Sequence, residues 1–227
     1  MNAISDIAVS GDARIAVIGV GGAGCRIVSM LYGKMSRVGV IAVNTDRKAL
    51  EDTSADYRMY ICKEVTKGLG TRGDARLGKK CAQIHADELR EVISQYDYAF
   101  IVAGMGGGTG SGASPVIADI CASEGLHYGA VAIMPFSFES DRATRAAEGF
   151  RALHVVCKDV VRFENDRALT AEGVSTLDDA MNAINEAICK TVDGVVSDIP
   201  VTIRTAMAKH AEERRATAVA VPRPLAI

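Results

Sequence analysis

Apolar residues along this 227-residue chain fall into short unbroken runs, separated by longer stretches in which they recur every three or four positions. The runs at 14–18, 38–43, 57–62, 98–103, 129–134 and 160–164 predict strands. Most are continuous rather than alternating, which suits strands covered on both faces. Helical spacing predicts one helix from near Cys25, with Ile27, Val28, Leu31 and Met35 on a face, and a long one carrying Leu77, Cys81, Ile84, Leu89 and Val92. A third starts at Pro115, carries Val116, Ile117, Ile120 and Cys121, and stops before Gly125. A fourth carries Ala147, Phe150, Leu153, His154 and Cys157. The longest spans 176–197, keeps Leu177, Met181, Ile184, Ile188, Val192 and Val195 on one stripe, and is ended by Pro200.

This alternation predicts an α/β fold: a three-layer, Rossmann-like, mainly parallel sheet with helices on both faces. Residues 1–13 read as an N-terminal extension and 14–198 as the folded domain with its long last helix. Residues 199–215 read as a short amphipathic helix, and 216–227 as an unpatterned, mobile tail. Ligands of such sheets bind at the carboxyl ends of the strands, so chemistry is expected in the loops that follow them.

Composition narrows the classes. Hydrophobic residues are 48% and the net charge is only −2, which excludes general disorder. Lys plus Arg is 26 against 28 acids, with no basic run, which speaks against a nucleic-acid partner. The apolar runs are strand-length, too short to span a bilayer, and no basic-then-apolar leader opens the chain. Cysteines 25, 62, 81, 121, 157 and 189 lie far apart, with neither a C-x-x-C pair nor a histidine at ligand spacing. They are expected to be buried free thiols of a cytoplasmic protein.

Glycine is in excess, 22 of 227 residues, roughly 10% against a usual ~7%. Three clusters hold most of them. Gly19, Gly21, Gly22 and Gly24 follow the first strand and open a helix. Gly68, Gly70 and Gly73 form the second cluster. Gly104, Gly106, Gly107, Gly108, Gly110 and Gly112 follow the strand at 98–103 and open another helix. Converging backbone N–H groups at a helix start are what a phosphate needs, and Thr109 and Ser111 add hydroxyls. The first cluster is a literal G-x-G-x-x-G with Asp46 some twenty residues on, which alone reads as a nicotinamide-dinucleotide oxidoreductase. The denser third loop argues instead for a mononucleotide polyphosphate held between two cradles. Residues 73–80 nearly match a P-loop, but lack its final Ser or Thr and a preceding strand.

The ordered set GVGGAGC (19–25), IAVNTD (41–46), TKGLG (66–70), AGMGGGTGSGASPV (103–116), PFSFE (135–139) and NDR (165–167) resembles the family of tubulin and the bacterial and archaeal cell-division protein FtsZ. The resemblance covers about residues 14–198. It implies a GTP- or GDP-binding, GTPase-type protein with magnesium, assembling with itself or with a full-length FtsZ-like partner. It implies phosphate contacts from Gly21, Gly22 and Gly24, and from Gly104, Gly106, Gly107, Gly108, Thr109, Gly110 and Ser111. Asn44 and Asp46 come near the phosphates, Asp46 through magnesium and water, with no direct protein ligand to the metal. Glu139 accepts from the ribose hydroxyls. Asn165 and Asn185 read the base, and Glu186 takes the guanine N1–H and N2–H₂ edge.

Four departures from the family stand out. Arg26 replaces a base-contacting Asn and can donate but not accept a hydrogen bond. Thr71-Arg72-Gly73-Asp74-Ala75 replaces a smaller loop ending in Asn-Pro near the terminal phosphate. Arg142 lies one position before the family's arginine, at which Ala143 stands. The long helix runs through Val195–Pro200 into Val201–Met207 with no Asn-x-Asp-x-x-Asp, the loop whose acids activate water in the next subunit. The expectation is therefore the nucleotide-binding part without catalytic loop or second domain, with weak or partner-dependent hydrolysis, or a non-hydrolysing regulator of a full-length filament. Asp193 and Asp198 are the remaining catalytic candidates.

Overall fold

The computed structural model describes residues 13–170, 172–197, 209, 212 and 213. The chain runs β1 (Ile15–Val20), α1 (Gly21–Leu31), β2 (Val38–Asn44), α2 (Arg47–Glu51), β3 (Tyr57–Tyr60), α3 (Lys63–Thr66), α4 (Ala75–Ile84), α5 (Ala86–Ile93) and β4 (Tyr98–Gly104). It continues with α6 (Gly108–Ser123), β5 (His127–Met134), α7 (Ser140–Val156), β6 (Val160–Glu164), a 3₁₀ turn (Asn165–Thr170) and α8 (Leu177–Ser197). The six strands form one sheet in the order β3-β2-β1-β4-β5-β6, and every pairing is parallel.

Alternate residues of a strand face opposite sides, and this divides the apolar runs between two cores. Ala16, Ile18 and Val20 of β1 join Ile41, Ile101, Ile117 and Leu153 under α4 to α7, whereas Ile15 and Val17 join Val28, Leu31, Val102, Ile184 and Ile188 under α1 and α8. Each fully buried isoleucine contributes about 1.5–3 kcal/mol through apolar surface removed from water. Strands are added outward from β1 to β3 on one side and from β4 to β6 on the other, so the strand order reverses between β1 and β4, and the loops leaving these two strands are the first and third glycine clusters. That crevice is the place where open parallel sheets bind ligands.

Several predicted boundaries move. The helix expected through 77–92 is two helices broken at His85, whose ring accepts from the Cys62 N–H at 2.8 Å and meets Glu88 at 3.1 Å. Ile84, assigned to its buried stripe, is 57% exposed. Helix α6 begins at Gly108, not Pro115, and Pro115 lies inside it. Residues 108–114 have low helix propensity, and close packing on α4 overrides it. Helix α1 begins inside the first glycine cluster and ends before Met35. The expected extension at 1–12, Pro200, Asp198 and the tail at 216–227 lie outside the described residues, as does most of 199–215. Within that last segment Lys209, Glu212 and Glu213 are helical. Among the described residues no helix is long and apolar enough to cross a membrane.

All six cysteines are free, five buried and Cys189 half-buried. Burial pushes the thiols of Cys25, Cys81 and Cys121 up to about 12, because a thiolate there would lose its solvation. In the folded protein at pH 8, a disulfide reagent is expected to label rapidly no more than one thiol per chain. All six should react in guanidinium, and two or more fast native thiols would contradict this packing.

Candidate functional site

The loops after β1 and β4 enclose a cavity of about 320 Å³ lined by Gly21, Gly22, Asn44, Asp46, Gly104, Gly107, Gly108, Thr109, Gly110 and Arg142. Helix α1 starts there after Val20 and α6 after Gly107, and neither start carries a side-chain cap. By contrast Asp46 caps α2, accepting from Ala49 N–H at 3.0 Å, and Asp74 caps α4. Two helix N-termini thus present unpaired N–H groups and positive potential to one space, a ready site for an anion.

The glycines divide into two groups by what a side chain would meet. A Cβ at Gly24 would strike the Val102 carbonyl, one at Gly110 the Gly104 carbonyl, and one at Gly104 the Ala23 side chain at 2.7 Å. At Gly78 and Gly112 it would strike the facing backbone of α6 and α4 respectively. These positions let backbone pack on backbone. Gly22 has nothing within 4 Å, and Gly107 only the Gly104 carbonyl at 4.0 Å. A side chain at either would project into open space rather than into protein.

Three hydroxyls tie the walls together. Thr109 Oγ1 lies 2.6 Å from Thr45 Oγ1 and 3.4 Å from Thr71 Oγ1, linking the loops after β4, β2 and α3. Thr45 and Thr71 were not singled out as site residues. Their visible signal was only their position beside Asn44 and within the second glycine cluster. Leu69, Gly70, Thr71 and Arg72 also line the cavity.

Other expected site residues are dispersed around this space. Gly24, Gly106 and Ser111 are not in its lining, and Ser111 Oγ accepts from Gly106 N–H at 2.8 Å, bracing the third loop from within. Arg26 is exposed beside a neighbouring cavity of about 300 Å³, lined also by Gly22, Ser29, Met30, Ala49, Asp52 and Thr53. Glu139 accepts from Phe136 N–H at 3.1 Å and from Arg142 at 2.9 Å. Glu186 is exposed. Asp193 borders a different cavity with Ile15 and Val38, the first residues of β1 and β2. The glycine loop leaves the far end of β1, six residues and ~20 Å away at 3.3 Å per residue. Asp193 therefore does not reach this chain's own cradle.

Three amides are more telling. Asn44, Asn165 and Asn185 are only 2%, 6% and 5% exposed, and each has one side-chain atom with no hydrogen-bond partner among the described residues: Asn44 Nδ2, Asn165 Oδ1 and Asn185 Nδ2. A buried unpaired polar atom costs about 1–3 kcal/mol, so such atoms are kept where something else satisfies them. Asn44 Oδ1 is already used by the N–H groups of Thr45 and Asp46. This set fits a polar ligand with a phosphate end. For magnesium, no cluster of three acidic, His or Cys side chains exists among the described residues, and Asp46 is the one carboxylate in the cavity lining. The residues fit an ion held by phosphate and water rather than by a protein cage.

Comparison with known proteins agrees with this geometry. The model of the tubulin/FtsZ family GTPase domain matches residues 14–172. Cell division protein FtsZ 2 of Methanocaldococcus jannaschii is 35% identical over 196 residues, covering 84% of this chain and 50% of that protein. FtsZ 1 of Pyrococcus furiosus is 38% identical over 185 residues, 81% of this chain and 50% of that one. The chain thus spans about half the length of these relatives. Among solved structures, an empty FtsZ dimer of M. jannaschii superposes with a TM-score of 0.79 at 32% identity, over 85% of this chain and 57% of that one. CetZ2 of Haloferax volcanii, a GTPγS-bound protofilament, gives 0.72 at 26% identity over 82% and 59%. With a parallel sheet whose two central strands end in glycine loops, and a family match over most of its length, this chain belongs to the tubulin/FtsZ family.

Proposed function

We propose that this chain binds GTP or GDP with magnesium in the crevice between β1 and β4. We further propose that it associates, under control of that nucleotide, with copies of itself or with a full-length FtsZ-like filament in a cytoplasmic cell-division or cytoskeletal role. The observation that carries the reading is the pair of uncapped helix starts opening on one cavity, beside which Asn44 keeps a buried amide nitrogen with no partner among the described residues. In this reading the N–H groups of Gly21, Gly22 and Gly107 to Gly110 hold phosphates, and Asn44 and Asp46 lie beside them, Asp46 through metal-bound water. Glu139 and Arg142 hold the ribose side, Asn165 and Asn185 meet the base, and the exposed carboxylate of Glu186 accepts from the guanine N1–H and N2–H₂ edge. Arg26 faces the nucleotide from the neighbouring cavity. Bound magnesium would neutralise phosphate charge.

Hydrolysis by the isolated chain is proposed to be weak. Activating a water needs a group beside the terminal phosphate that orients it and takes its proton; of the two catalytic candidates Asp193 stands a strand's length away, and Asp198 lies outside the described residues. Any turnover would draw on groups delivered across an interface. The same placement supports a second reading, a non-hydrolysing regulator of a full-length filament.

Extraction and identification of co-purified nucleotide, followed by phosphate release and light scattering with GTP, test both. Guanine nucleotide and slow release are expected. Recovered NAD would overturn the reading in favour of a dinucleotide enzyme, and brisk release by the chain alone would overturn the weak-hydrolysis proposal. Scattering that rises only with a full-length partner would favour the regulator.

Asn185→Leu separates ligand binding from stability. Leucine removes the unpaired buried amide, so the ligand-free protein should be more stable by about 1 kcal/mol, while GTP affinity should fall ~10-fold or more. Thermal melts and titration calorimetry read the two effects, and a loss of both would mark Asn185 as purely structural.

A further inference from the structure

Gly106 sits where the third glycine cluster turns into α6, and it is held from two sides. Its N–H donates to Ser111 Oγ at 2.8 Å, and its carbonyl accepts from Arg145 Nε at 3.3 Å. The two peptide units flanking Gly106 are thereby anchored, one by its N–H and the other by its C=O. The second of them carries the Gly107 N–H at its far end. A peptide unit is planar, so holding its carbonyl sets the direction of that N–H. Gly106 has φ +82°, and a Cβ there would strike the Arg142 carbonyl, so the turn closes directly against α7.

Arg145 lies on α7, and its own helix offers it other partners. Asp141 and Glu148 stand one turn away on either side, the spacing at which helical arginines form ion pairs. Among the described residues Arg145 pairs with neither. The exposed side chain crosses instead to the Gly106 carbonyl, and its guanidinium also lies against the second glycine cluster. A Cβ at Gly73 would stand 3.8 Å from its Nη2 and 3.9 Å from its Cζ and Nε. Arg145 is absent from the lining of the phosphate cavity, and lines a separate groove between α4, α6 and α7 together with Gly73 and Ser111. It touches the outer side of two glycine loops and not the space that they enclose.

The loop needs such support. Six glycines stand between positions 104 and 112, and glycine has the most backbone freedom to lose. N–H donors that must be ordered as an anion binds give up affinity to that ordering, and donors held beforehand do not. We infer that Arg145 is a positioning residue for the phosphate cradle, holding the third glycine loop in its anion-binding form through the Gly106 carbonyl without touching the ligand. This rests on the nucleotide reading above. A guanidinium is suited to the role because its rigid, planar fork reaches a carbonyl and the neighbouring loop at once, whereas an ammonium is a single point.

The full chain is tested as wild type, Arg145→Met and Arg145→Lys, first without ligand and then with magnesium GTP and magnesium GDP. Methionine keeps much of the apolar stem and removes the donor. In ligand-free Arg145→Met, amide hydrogen exchange should quicken ~10-fold at Gly106 and Gly107, while β1 and β4 keep wild-type rates and Tm stays within ~2 °C, because one exposed contact to backbone is lost. Titration calorimetry should show GTP and GDP weakened by the same factor, ~5- to 10-fold, and that factor should persist in about 0.5 M salt, since a loss of positioning is not screened. Arg145→Lys retains a donor and should recover part of both effects. Unchanged exchange at Gly106 or unchanged affinity would overturn the inference. So would faster exchange throughout with a Tm lowered by more than ~5 °C, the mark of a purely structural residue, or an affinity loss that salt abolishes, the mark of a charge effect alone. Each of these leaves nucleotide binding by the wild type intact. Failure of the wild type to bind either nucleotide would overturn the parent reading, and the cradle role of Arg145 with it.

Discussion

Gly107→Val is expected to raise the GTP Kd by at least ~100-fold, a loss of about 2.7 kcal/mol, while the ligand-free fold stays intact. Gly107 has φ −85° and ψ 154°, an extended conformation that valine adopts readily. Its Cβ would meet only the Gly104 carbonyl at 4.0 Å. The added methyl groups therefore cost the fold little beyond an N-cap preference of about 1 kcal/mol, or roughly 2–4 °C in Tm. They do project into the cavity in front of the α6 N-terminus, where a phosphate must come within hydrogen-bonding distance of backbone N–H groups. Calorimetry and thermal melts on one preparation give both numbers. Unchanged GTP affinity would remove this loop from the nucleotide site.

Gly24→Ala should do the opposite. Its Cβ would drive into the Val102 carbonyl, with the Gly19 carbonyl carbon at 3.1 Å, and both belong to central strands that cannot give way. The expected loss is at least ~3 kcal/mol, the upper end of overpacking costs, which corresponds to a fall in Tm of ~6–12 °C for a domain of this size. Gly22→Ala, two residues earlier, is the internal control. Nothing lies within 4 Å of its Cβ, and alanine is the better helix former, so its Tm should hold or rise. Equal melting of all three proteins would refute the division of the motif into packing and ligand-facing glycines. The literal G-x-G-x-x-G thus contains positions with unlike physical roles, which the letters alone do not separate.

Much of the fold was legible because burial leaves a periodic trace in sequence. Apolar runs marked all six strands within a few residues; those of the four inner strands are nearly continuous because both faces are buried, whereas the edge strands β3 and β6 carry exposed Arg58 and Arg162. Glycine-rich loops directly after two of those runs pointed to the crevice between β1 and β4, where both loops do converge. Helix starts were less legible. Gly108 to Ser114 reads as loop by propensity, yet it is helical because Gly78, Gly108 and Gly112 allow α4 and α6 to approach backbone to backbone. That contact joins segments some thirty residues apart, and no local pattern records it.

The sequence by itself determined the alternation of strand and helix, the family-like order of motifs and the loops in which a phosphate site would lie. These follow from local chemistry: side-chain periodicity, missing Cβ atoms and the polarity of helix ends. Only the tertiary structure decided which of those groups are free to act. It showed Asn185, on an otherwise ordinary amphipathic helix, to be buried with an unpaired amide. It placed Asp193 at the wrong end of the strands for its own cradle, and paired Arg142 with Glu139 beside that cradle. Whether a polar group is satisfied depends on neighbours brought from distant parts of the chain, so it becomes visible only once the chain has folded.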